Sequence, residues 1–406
     1  MQAEADILDS RYSWARLMIS LAIATVASVG MWSVVLVLPH VQTEFGISRA
    51  DAALPYAATM AGYALGNLLI GRAVDRFGVT PALIAAGFAL CAGFLLAAVS
   101  TDVLGFGLAQ GLLIGTGAAA GFGPLMADIS HWFRRRRGVA VAIAASGNYL
   151  AGALWPLALK GWLEVGDWRG AYAVVAVVCV VLILPLALLL RRRLPVLPGF
   201  APGSSAAPVR RIDLGPRALV VLLSLAGVAC CVAMSMPQVH IVAYCIDLGY
   251  GAAAGAEMLA LMLGAGIVSR LASGWLADRI GGVLTLLIGA SLQGLALTLY
   301  IPFDGLASLY VVSMIFGLAQ GGIVPAYAII IREYLPARQA GATVGLVIMA
   351  TIVGMALGGW LSGWIFDATG SYGAAFLNGI GWNALNVGIL LLILLRTRGV
   401  RQLAPA

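Results

Sequence analysis

The chain has 406 residues, of which 62% are hydrophobic and only 10% charged, with 24 Lys and Arg against 17 Asp and Glu. Soluble domains carry about a quarter charged residues, so this composition excludes a water-soluble enzyme, a disordered regulator and a disulfide-stapled secreted domain, and it points to lipid as the main solvent. The net charge of +7 needs no nucleic-acid partner, because membrane proteins gather Arg in the loops on one side.

A bilayer core asks for about 20 apolar residues per helix. The polar start, 1–14, shows no short apolar region with a cleavage site, so no removable signal peptide is expected. The first predicted spans are 16–40, 50–71, 79–100, 103–127, 138–160 and 170–190. Residues 191–216 follow, with five of the sixteen prolines, and read as a linker. The remaining spans are 217–243, 253–275, 282–301, 306–331, 340–363 and 374–395. The predicted fold is an all-α membrane protein of twelve transmembrane helices in two six-helix halves, 1–190 and 217–406. Cys91, Cys179, Cys230, Cys231 and Cys245 fall in apolar stretches without metal or disulfide spacing, so they read as small core residues and no metal is expected.

Positive charge sets the orientation. Twenty arginines, including Arg11, Arg16, Arg72, Arg76, Arg134 to Arg137, Arg191 to Arg193 and Arg279, fall on one side of the spans. Only Arg49, Lys160 and Arg169 fall on the other, and Arg270 lies inside a span. Both termini and the linker are therefore expected in the cytoplasm.

The two halves repeat at the level of residues. Gly71-Arg72-Ala73-Val74-Asp75-Arg76-Phe77-Gly78 returns as Gly274-Trp275-Leu276-Ala277-Asp278-Arg279-Ile280-Gly281, and Gly107 to Gly111 returns as Gly317 to Gly321. A parallel duplication of this kind places a substrate site between the halves, near the midplane. Gln110 and Gln320, inside the repeated segment, read as packing amides, as do the glycines Gly115, Gly117, Gly121 and Gly123 as close-approach positions.

A guanidinium deep in a span is costly unless it faces a cavity or a partner, and no Asp, Glu or Lys lies at similar depth to pair with Arg270. The substrate itself is then expected to supply the anion, with the two parallel hydrogen bonds that a carboxylate accepts from Arg. The bland alternative is that Arg270 caps backbone carbonyls or snorkels to the interface. His240, three residues after the helix-breaking Pro237, is the candidate proton-coupling or hydrogen-bonding group, against a plain structural histidine. Asn148 and Tyr149 are candidate donors to the carboxylate, and Trp32 and Tyr327 candidate walls for the apolar end of a lactate-sized solute.

The repeated G-x-x-x-D-R-x-G loop resembles the signature loop of the major facilitator superfamily, and twelve spans, a central linker and cytoplasmic termini extend the resemblance over the whole chain. It implies a gating network of Asp75, Arg76, Asp278 and Arg279, joined by Asp128 at the end of the fourth span and Glu333 at the end of the tenth. An Arg in the eighth span, four residues before Gly274, is similar to the monocarboxylate transporters and their bacterial relatives, including the oxalate/formate exchangers, where it is read as the carboxylate anchor. Two departures matter. The Asp that animal carriers place four residues before that Arg is Gly266 here, and the exchangers' Lys in the eleventh span is absent from 340–363.

The expected function is alternating-access transport of small organic monocarboxylates, with proton symport, by a monomer in a bacterial inner membrane. Neither a cofactor nor a nucleic-acid partner is expected; the partners are the organic anion, protons and the lipid bilayer. The alternatives are a carboxylate antiporter and a non-transporting sensor or scaffold.

Overall fold

The computed structural model describes residues 8–133, 136–192, 212–335 and 337–397. The expectations placed on Arg134, Arg135, Arg193, Arg210, Arg211, Arg398 and Arg401 and on most of the linker lie outside them. Asp75, Arg137 and Arg338 sit in helices, but their side chains also lie outside the described set.

The described residues form twelve long helices. In the first half these are α1 (Arg11–Phe45), α2 (Arg49–Phe77), α3 (Val79–Ala98), α4 (Val103–Trp132), α5 (Gly138–Val165) and α6 (Trp168–Leu189). In the second they are α7 (Pro216–Asp247), α8 (Gly251–Ile280), α9 (Gly282–Leu299), α10 (Leu306–Tyr334), α11 (Ala337–Thr369) and α12 (Tyr372–Arg396). Eleven are long and apolar enough to cross a membrane. The other, α2, has 29 residues and carries Arg49, Asp51, Asn67, Arg72 and Arg76, so it is long enough but more polar. Among the described residues, the only extended pairing is a single antiparallel bridge from Ile212 to Thr397.

Local chemistry fixes the ends. On the arginine-poor face, Ser48, Asp102, Asp167 and Ser371 cap α2, α4, α6 and α12 by accepting first-turn backbone N–H groups. On the arginine-rich face, one residue joins α2 to α3 and one joins α8 to α9. These are Gly78 and Gly281, with φ of 91° and 90°. Only glycine adopts such a φ without strain, which is why the last glycine of the repeated loop recurs.

The repeated Gly-Leu-Ala-Gln-Gly segments serve close packing. A Cβ on Gly62 of α2 would lie 1.8 Å from the Gly111 carbonyl of α4, and one on Gly317 of α10 would lie 2.1 Å from the Met262 carbonyl of α8. Backbone therefore touches backbone in both halves, as expected of small residues at membrane helix crossings. Gln110 is fully engaged, donating to the Tyr172 hydroxyl at 2.6 Å and accepting from Thr59 at 3.2 Å. Gln320 finds Gln238 instead, accepting from it at 2.7 Å. The halves meet mainly along two helix pairs, α5 with α8 and α2 with α11, and to a lesser extent along α1 with α7.

Candidate functional site

Arg270 stands on the seam between the halves. Its Nε donates to the Gly321 carbonyl of α10 at 3.2 Å, and its Nη1 donates to the Ala145 carbonyl of α5, in the opposite half, at 2.8 Å. The guanidinium lies over the Tyr149 ring, 4.1 Å from its centroid. Those partners are neutral. The carbonyls take two of the five guanidinium protons, and among the described residues no carboxylate forms an ion pair with this side chain. The backbone-capping alternative is thus realised together with a half-buried cation whose charge no described carboxylate balances.

The reason Tyr149 reaches that position lies one turn before Arg270. A Cβ on Gly266 would sit 2.4 Å from Tyr149 Cε1, so the missing side chain is the space the phenol ring fills. Next to it, Trp32 is buried, and its indole N–H donates to both the backbone and side-chain oxygens of Asn148, at 3.1 and 3.0 Å. The Asn148 amide nitrogen lies 3.3 Å from Met31 Sδ. Arg270, Tyr149, Asn148 and Trp32 therefore form one constellation where α1, α5 and α8 converge.

Two expected members stand elsewhere. Tyr327 is buried in the second half, with its hydroxyl 3.4 Å from Asn386 of α12. His240 is buried near the arginine-poor face. Its Nε2 lies 2.8 Å from the Gly359 carbonyl of α11, and its Nδ1 lies 3.2 Å from the Tyr372 hydroxyl of α12. A carbonyl only accepts, so Nε2 carries a proton and donates to Gly359.

The described partners of the gating candidates lie within their own halves. Asp128 forms a two-pronged pair with Arg16 of α1, at 2.8 and 2.9 Å, and Arg16 also donates to the carbonyls of Leu190 and Arg192. Glu333 of α10 accepts the Gly282 N–H at the start of α9. The Arg76 guanidinium lies over Phe77, and that of Arg279 over Trp275, 3.9 Å from the ring centroid.

A second constellation, on the arginine-poor face, was not anticipated. Arg49, at the start of α2, pairs through both terminal nitrogens with Asp247 of α7 and donates to the Tyr372 hydroxyl of α12 at 2.9 Å. Its guanidinium also lies 4.1 Å from the Phe366 ring centroid of α11. Lys160 of α5 pairs with Glu257 of α8 at 2.8 Å, again across the seam, while Arg169 pairs with Glu44 within the first half at 2.6 Å. All three cations that fall on this side thus have acidic partners. The signal was present in the sequence, where Glu44, Asp247 and Glu257 fall at the same loop ends as the three cations. Above the Arg49 and Asp247 pair a cleft of about 530 Å³ opens outward, lined by Pro39, His40, Gln42, Glu44 and Trp168.

Arg270, Lys160, Arg49 and Asp367 make hydrogen bonds or ion pairs across the halves, at the seam and nearer the arginine-poor face.

Residues 20–316 and 258–405 match the family model described as Major Facilitator Superfamily. Monocarboxylate transporter 13 of Bos taurus is 32% identical over 317 residues, covering 76% of this chain and 72% of its own. Monocarboxylate transporter 11 of Homo sapiens is 28% identical over 386 residues, covering 91% of this chain and 80% of its own. Among solved structures, the nucleoside transporter NupG superposes with a TM-score of 0.73 at 12% identity, over 93% of this chain and 99% of that one. This last likeness concerns the fold.

Proposed function

Because this chain belongs to the major facilitator superfamily and is related to the monocarboxylate transporters, we propose that it carries small organic monocarboxylates of lactate or pyruvate size by alternating access. The observation that carries this reading is Arg270: a cation at the seam, held by two carbonyls and the Tyr149 side chain, with its net charge left for a ligand. A carboxylate is the anion whose two oxygens match two guanidinium protons, and charge-assisted bonds of this kind are about twice as strong as neutral ones. A single cation favours a single negative charge. The Tyr149 ring fixes the plane of the guanidinium, and Trp32 and Asn148 brace the wall beside it.

On the positive-inside rule the arginine-rich face is cytoplasmic, and the conformation described is then the one with the seam closed on the outside; we place the protein in a bacterial inner membrane. In the reverse conformation Asp75, Arg76, Asp128, Asp278, Arg279 and Glu333 hold the cytoplasmic ends together, a latch that needs only a few kcal/mol to bias a two-state equilibrium.

Proton symport is the mode we favour, and His240 is its candidate carrier. With a neutral ring, Arg49 donates to the Tyr372 oxygen, the Tyr372 hydroxyl donates to His240 Nδ1, and His240 Nε2–H donates to Gly359. A second ring proton would leave the Tyr372 hydroxyl proton without its acceptor, so protonation is felt directly at Arg49.

The test is uptake of labelled L-lactate into proteoliposomes, with and without an inward proton gradient, for the parent protein and Arg270→Ala. Gradient-stimulated uptake that falls about a hundredfold or more in the variant is the expected result. Equal uptake by the variant would overturn the anchor. Uptake that needs a preloaded anion and ignores the gradient would replace symport by exchange.

A further inference from the structure

Four residues separate Gly363 from Asp367 in α11, so the two share one helix face, a turn apart. A Cβ on Gly363 would lie 2.8 Å from the Arg49 carbonyl of α2, so only the hydrogen of glycine lets α11 rest against the beginning of that helix. One turn on, the Asp367 carboxylate meets the backbone end-on. Its Oδ1 accepts the Arg49 N–H at 3.0 Å and its Oδ2 accepts the Ala50 N–H at 2.7 Å.

The beginning of α2 therefore has two caps of different origin. The first turn of a helix leaves four N–H groups without intrahelical acceptors. Ser48, the residue before α2, takes the Asp51 N–H with its hydroxyl at 3.1 Å, and its carbonyl accepts the first regular intrahelical bond, from the Ala52 N–H. The first-turn donors on Arg49 and Ala50 are met, among the described residues, by a carboxylate from the opposite half of the protein. That carboxylate also sits at the positive end of the α2 dipole, where an anion is stabilised.

We propose that Asp367 is the outer gate of this protein: a helix cap, formed only while the halves are closed on the arginine-poor face, that sets how strongly that closed state is favoured. The inference does not depend on which solute is carried. Opening on this face removes α11 from the start of α2 and exposes two N–H groups and one carboxylate at once. The Arg49 side chain adds its own cross-half grip through Asp247 and Tyr372. Asp367 acts through the backbone, which any side chain at 49 and 50 would supply. The gate is thus encoded in α11, by Gly363 and Asp367, and not in the residues it closes on.

The experiment measures the distance between nitroxide labels on Val165→Cys, at the exposed end of α5, and Phe303→Cys, in the exposed loop before α10, by pulsed electron resonance in nanodiscs. Asp367→Ala is expected to add a longer-distance population, lowering the closed-to-open ratio by about five- to thirtyfold. Asp367→Asn, which keeps shape and one acceptor, shifts the ratio in the same direction by less. Ser48→Ala removes the cap that α2 supplies for itself; it lowers the melting temperature and leaves the distances unchanged. Unaltered distances in both Asp367 variants would overturn the gate. So would an equal shift in Ser48→Ala, because the effect would then be ordinary helix capping.

Discussion

On the arginine-poor face the halves are joined by charge: Arg49 to Asp247, Lys160 to Glu257 and Asp367 to the start of α2. On the arginine-rich face Arg16 pairs with Asp128 and Glu333 accepts the Gly282 N–H, each inside its own half. The same chemistry therefore does two jobs. Within a half it fixes a fold; across the seam it holds two halves together. On the alternating-access reading proposed above, a contact of the second kind weights one conformation against another, and its strength has to stay small enough to be broken in each cycle.

Three substitutions separate these jobs, judged by the distance between the halves. Arg49→Ala is expected to have the largest effect. It strips Asp247 and Tyr372 of their cross-half cation, at a cost to the closed state of about 2–5 kcal/mol, read as a dominant long-distance population in the same spin-label measurement. Lys160→Ala comes second and small. Its ammonium and the Glu257 carboxylate are 44% and 35% exposed, and pairs so exposed contribute little, so only a slight broadening is expected. Arg16→Ala should leave the distance alone, although its ion pair with Asp128 is much more deeply buried. Its effect belongs to stability: about 3 kcal/mol or more is lost when a buried pair loses one partner, visible as a lower melting temperature in detergent. A distance change in Arg16→Ala, or none in Arg49→Ala, would break the division between the two faces.

The helices were legible because lipid leaves little choice: every backbone group must be bonded inside the segment, so long apolar runs bounded by Gly, Pro and Arg read as spans. Most helices run past the expected spans, whereas α3 and α9 each stop two residues short of 79–100 and 282–301. The expected first span, 16–40, is helical over Arg11–Phe45, because amphipathic ends such as Arg11 and Thr43 remain helical beyond the apolar core. Arg270 was legible from its cost alone. What it touches was not, since the Tyr149 ring lies over it by virtue of a glycine at 266, a residue whose significance is the volume it lacks. His240 is legible in the sequence as a polar group three residues after a proline, yet its partners, Gly359 and Tyr372, lie more than a hundred residues away, near the arginine-poor face. Asp367 escaped notice for the same reason. Nothing in the order of residues says that a carboxylate near the end of α11 meets backbone amides 317 and 318 positions earlier.

The bond from Arg270 to the Ala145 carbonyl has a kinetic meaning if the guanidinium is the anchor for a solute. That carbonyl is a resident competitor, tethered at high effective concentration and ready to reclaim its proton whenever an arriving oxygen lets go. A bond to a charged donor contributes about 1.5–3 kcal/mol, so the solute is held about ten- to a hundredfold more weakly here than the same cation would hold it unopposed. Weak holding on the side where cargo must leave shortens its residence. The carbonyl then works as an ejector, and departure becomes an exchange of one oxygen for another, with no cation left bare at the centre of the membrane.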